Sequence, residues 1–69
     1  MSTFLLTRYW SHEMLTNLRD DAAAGMSLVE CAQRQPGEVH SADCDLALWA
    51  MTGRSIPQAL IYLNRRAAA

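Results

Sequence analysis

Cys31, His40 and Cys44, with His12 as a fourth member, are the side chains whose sulfur and nitrogen atoms could hold a transition metal. Thiolate and imidazole donors together suit zinc, and zinc sites are usually built on close pairs such as Cys-x2-4-Cys that pre-form two ligands. The spacing here is Cys-x8-His-x3-Cys, with no such pair. Both cysteines stand among apolar neighbours and read as small core residues. Ser11, His12 and Glu13 are the residue types of a nucleophile–base–acid relay. Consecutive residues of a helix do not face one another, so the relay geometry fails and Ser11 reads as a helix cap. Asp20 with Asp21, and Asp43 with Asp45, could pair carboxylates for acid–base work or Mg2+. Without a Gly-rich phosphate loop beside them they read as a solvated helix end and a helix start. No catalytic residue, metal or cofactor is therefore expected, and the chain is not read as an enzyme.

The stretch Thr52-Gly53-Arg54-Ser55-Ile56-Pro57-Gln58-Ala59 carries a different chemistry. A glycine turn followed by a serine-capped helix suits a helix that enters a DNA groove. The helix N-terminus and Ser55 can hold a phosphate. Arg54 and Gln58 can reach base edges, because Arg reads guanine and Gln reads adenine. Tyr62 and Arg65 follow on the same helix, with Asn64 or Arg66 beside them. Arg54, Ser55, Gln58, Tyr62 and Arg65 are therefore the candidate DNA-binding residues. The plainer alternative is a helical hairpin whose second helix is capped.

These residues must be positioned by helices, because Ala and Leu dominate while Val, Ile and Thr are few. Ser11 caps a first helix over 11–24, with Met14, Leu15, Leu18 and Ala22 on one face and Gly25 as its stop. Ser27 and Glu30 form a capping box for a short second helix over 27–35, closed by Pro36-Gly37. Ser41 caps a third helix over 41–51, with Asp43 in a first turn that favours negative charge. Ser55 caps a fourth over 55–66, with Pro57 in its first turn and Arg65 and Arg66 at its C-terminal end. Residues 1–10 form an N-terminal arm, in which Phe4-Leu5-Leu6 is a short apolar run. The three alanines 67–69 are assigned no function. The expected fold is all-α: one small four-helix domain over 1–69 with a helix-turn-helix-like C-terminal pair.

At 69 residues and 7.7 kDa, with 51% hydrophobic and 19% charged residues, the chain is too apolar to be disordered. Two cysteines cannot frame a disulfide mini-protein. No apolar run approaches the roughly 18 residues of a membrane span. The first residues lack the basic and apolar regions of a secretory signal, so a cytoplasmic location without membrane contact is expected. The formal net charge is −1. All seven acids lie in residues 1–45, whereas 46–69 contain Arg54, Arg65 and Arg66 and no acid. An anionic partner would meet the C-terminal end.

The runs Leu46-Ala47-Leu48-Trp49-Ala50-Met51 and Ala59-Leu60-Ile61-Tyr62-Leu63 are apolar on every side of a helix. A helix of that kind needs a second burial surface, supplied by the other helices and the arm or by a partner. Trp49, Ile61 and Tyr62 are the candidate interface anchors, in a homodimer or with another protein.

Trp10-Ser11-x-Glu13, Leu18 and Ala24-Gly25-Met26-Ser27-x-x-Glu30-x-Ala32 resemble the opening of Myb/SANT-type and GcrA-like helix-turn-helix domains. Gly53-Arg54-Ser55-x-x-x-Ala59-Leu60-x-x-Leu63-x-Arg65 is similar to their Gly-Arg-Ser/Thr turn and recognition helix. The resemblance implies that Arg54, Ser55, Gln58 and Arg65 face DNA. It also implies that Trp10, Leu18, Ala32, Leu60 and Leu63 are core. In those families the second helix runs almost directly into the turn, whereas here residues 33–52 intervene and hold a helix of their own. In the third helix, Trp49 falls near the position where a small residue lets two helices approach. The leading expectation is a small helix-turn-helix-type DNA-binding transcriptional regulator of bacterial or phage kind. The alternative is a small helical protein-interaction module, an adaptor, inhibitor or antitoxin-like protein, that binds a protein partner through the apolar faces of its last two helices.

Overall fold

The computed structural model describes residues 9–68, with side chains through Arg65. Of the expected arm only Tyr9 and Trp10 fall in this range; the Phe4-Leu5-Leu6 run and the Arg66 side chain lie outside it. Among the described residues the elements are α1 (His12–Ala23), α2 (Leu28–Arg34), α3 (Ser41–Met51) and α4 (Ile56–Ala68), and there is no strand. The all-α, four-helix architecture is the expected one.

Each helix begins where a side chain satisfies its orphan amides. The Ser11 hydroxyl accepts the Met14 N–H at 3.1 Å. Ser27 and Glu30 make the full reciprocal box, with Ser27 N–H to Glu30 Oε1 at 3.0 Å and Glu30 N–H to Ser27 Oγ at 3.2 Å. α1 ends in the left-handed cap that glycine favours. Gly25 has φ +93° and donates to the Ala22 carbonyl, and Met26 N–H reaches back to the Asp21 carbonyl. At α3 the cap is His40 and not Ser41, because the Asp43 carboxylate accepts the His40 N–H at 3.1 Å. Asp43 stands in the first turn of α3, as expected, and is buried there. Asp21 departs from the expected solvated helix end. Its carboxylate is largely covered and takes the Arg34 Nε–H at 3.0 Å, fastening the last turn of α2 to α1. Gln35, just past α2, is also buried and donates from Nε2 to the Met14 carbonyl at 3.1 Å.

α3 is the central element and touches the other three helices. Its inward face is made of Cys44, Ala47 and Ala50, all fully buried, and these small side chains let its neighbours come close. Leu46, Leu48 and Met51 are partly buried against the core. The other helices therefore supply most of the cover that its apolar sequence demands. Trp10, Leu15, Leu18, Cys31, Ala32, Ala59 and Leu63 complete the core, and Leu60 packs against its edge.

Asn64 joins the two ends of the fold. Its Oδ1 accepts the Trp10 N–H at 2.9 Å, and its Nδ2 donates to the Trp10 carbonyl at 3.1 Å. One side chain on α4 thus satisfies both backbone groups of the residue that leads into α1, and it holds the Trp10 ring in the core. Asn64→Leu keeps the branched heavy-atom shape and removes both bonds. It is expected to lower unfolding stability by about 2 kcal/mol, at 0.5–1.5 per bond, as read from the urea midpoint.

Cys31 and Cys44 are free and fully buried. Burial pushes both thiols up, and the neighbouring Cys31 and Asp43 add to the effect at Cys44, which rises from 9.0 to about 11. The folded thiols therefore stay protonated where unfolded ones ionise. The unfolded state binds fewer protons from about pH 9 upward, so the thiols leave stability unchanged below that pH and lower it as pH climbs towards 11. At pH 8 iodoacetamide is expected to alkylate neither thiol in the native protein and both in urea, as read by mass spectrometry.

Candidate interaction surface

The turn between α3 and α4 builds the site. Thr52 N–H donates to the Trp49 carbonyl at 3.0 Å, and the Thr52 hydroxyl donates to the Leu48 carbonyl at 3.2 Å. Gly53 then takes φ +74°, a conformation that strains residues with a Cβ. The chain folds back so that Arg54 Nη1 donates to the Ala50 carbonyl at 3.1 Å, capping the last turn of α3. In that position the guanidinium lies 4.6 Å from the Tyr62 ring centroid and 5.3 Å from that of Trp49. The two rings are 5.5 Å apart and tilted by 55°. Trp49 of α3, Arg54 of the turn and Tyr62 of α4 form one stack, with each aromatic ring offering its negative face or edge to its neighbours.

Ser55 and Gln58 are engaged differently. Ser55 N–H donates to Gln58 Oε1 at 3.0 Å, and Gln58 N–H donates to Ser55 Oγ at 3.3 Å. This is a second reciprocal capping box, and its signal is legible in Ser55-Ile56-Pro57-Gln58, the same S-x-x-E/Q pattern as at Ser27. Both side chains are exposed, but their polar atoms already hold the start of α4.

Pro57, Gln58, Ile61 and Arg65 line the solvent side of α4, opposite the buried Ala59 and Leu63. Ile61 is 58% exposed and Trp49 is 55% exposed, while Tyr62 and Arg54 are half-buried. The structure therefore brings together Trp49, Arg54 and Tyr62, with Ile61 and Arg65 on the adjoining helix face. Trp49 does not lie at the helix approach, where Ala47 and Ala50 stand. Asn64, read alongside the polar side of α4, holds Trp10 instead.

The site is electrostatically one-sided. Asp45, exposed one turn before Trp49 on α3, is the last acid of the chain. In the first half, Arg19 lies 3.6 Å from Asp20 and Arg34 3.0 Å from Asp21. Arg54 and Arg65 have no carboxylate partner among the described residues.

Among the described residues, no three His, Cys, Asp or Glu side chains gather as a metal group. His12 and His40 are exposed while Cys31 and Cys44 are interior. No helix of the described residues is long and apolar enough to cross a membrane. No protein-family model, curated protein or solved structure matches the chain, so the likeness to Myb/SANT-type and GcrA-like domains rests on its short motifs alone.

Proposed function

We propose that this chain is a small helical protein-interaction module, without cofactor and without catalysis. It docks a protein partner through the end of α3, the 52–55 turn and the outer face of α4. The observation that carries this reading is the cluster of Trp49, Arg54 and Tyr62, with Ile61 exposed next to Tyr62 in α4. Trp, Tyr and Arg are the residue types that dominate binding hot spots. Here they are held in a fixed arrangement before any partner arrives, which lowers the ordering cost of association.

The same contacts count against the leading expectation of a DNA-binding regulator. Gln58 Oε1 and the Ser55 hydroxyl cap α4, and Arg54 is folded onto two rings. What favours DNA is the acid-free stretch from Leu46 onward with its three arginines. Salt separates the two readings. Fluorescence anisotropy of the full chain with a random duplex pool is expected to show no binding at about 50 mM salt. Binding that is present there and falls steeply by about 200 mM would transfer the function to DNA.

A further inference from the structure

We infer that the partner segment is acidic, with an apolar side chain seated on Trp49 and Ile61 and a neighbouring carboxylate held by Arg54. This rests on the interaction reading above and names the chemistry of the partner. A guanidinium is planar and presents its donors in a fork that matches a carboxylate. At Arg54 one donor is used on the Ala50 carbonyl, and the guanidinium carbon lies over the Tyr62 and Trp49 rings. The group is thus anchored in advance, half-buried, and without a carboxylate partner among the described residues. Arg19 and Arg34 behave oppositely, each lying beside an aspartate. Arg65 adds a second positive charge on the exposed face of α4.

A DNA backbone would supply negative charge but nothing apolar for Ile61.

The test selects binders from a phage-displayed library of random peptides of about 16 residues on the immobilised full chain. The enriched peptides are then titrated by anisotropy against wild type, Arg54→Lys, Arg65→Glu and Trp49→Ser, each checked for helicity. The expected peptides carry Asp or Glu beside a large aliphatic or aromatic residue. Arg54→Lys, which keeps the charge but loses the planar fork, should weaken them about tenfold. Arg65→Glu, at an exposed position outside the stack, should weaken them severalfold and supplies the charge test should Arg54→Lys not fold. Neutral or basic peptides that lose affinity with Trp49→Ser, and not with either arginine variant, would overturn the acidic partner and leave the interaction surface standing. Peptides indifferent to Trp49→Ser, or no enrichment at all, would overturn both.

Discussion

Trp49→Ala is expected to weaken partner binding by about 30-fold or more, the 2 kcal/mol that defines a hot spot, while the fold remains. The indole is more than half exposed, and its recorded ring contacts are with Tyr62 and Arg54. Its loss therefore removes the largest apolar anchor and one wall of the arginine stack without opening the core. The stability loss should stay within about 1 kcal/mol, since an exposed side chain outside the core leaves no cavity. Val29 on α2 is equally exposed, at 56%, and lies outside the stack. Val29→Ala is the matched control and should bind as wild type. Calorimetric titration with an enriched peptide measures both. Equal losses in the two variants would mean non-specific apolar adhesion.

Leu18→Ala carries the largest expected effect on the fold. Leu18 is fully buried in α1. Truncating such a leucine costs about 2–5 kcal/mol, the spread reflecting how far the site collapses around the cavity. At 0.05–0.15 kcal/mol per residue, a domain of this size holds roughly 3–10 kcal/mol in all. The loss is therefore a large fraction of the total, and the urea midpoint should fall accordingly. Helicity at 222 nm against urea reads this directly, with Leu18→Met, which keeps the volume, within about 1.5 kcal/mol of wild type. A wild-type midpoint for Leu18→Ala would mean that α1 does not pack as described.

The helices were legible because their punctuation is local. Ser11, Ser27 with Glu30, Gly25, Pro36-Gly37, Gly53 and Pro57 each act within a few residues. The error at Ser41 is one of neighbours: His40 precedes it, and Asp43 sits three residues beyond His40, where its carboxylate reaches the His40 amide. The orientation of α3 was not legible from hydrophobicity, since the run from Leu46 to Met51 is apolar throughout. Side-chain size marks the inner face, with Cys44, Ala47 and Ala50 small where helices meet and Trp49 large where they do not. Residue type and position single out every residue of the interaction surface, but in two separate roles. Arg54 was grouped with the DNA contacts because nothing in its sequence neighbourhood says that the turn folds it back onto Trp49 and Tyr62. That contact depends on the path of residues 52–55, a tertiary fact. Asn64 was missed as a structural clasp for the same reason, its partner lying fifty-four residues away.

The most direct measurement places a photo-crosslinking amino acid at position 61, and at Ala23 on the exposed end of α1 as a control, in the cells that make the protein. Ile61 is exposed on α4, and an apolar photo-reactive side chain there keeps the surface apolar. The account predicts a discrete protein adduct from position 61 that disappears when Trp49→Ala is added, and none from position 23. Adducts of equal pattern from both positions, or a position-61 adduct that is nucleic acid, would contradict it.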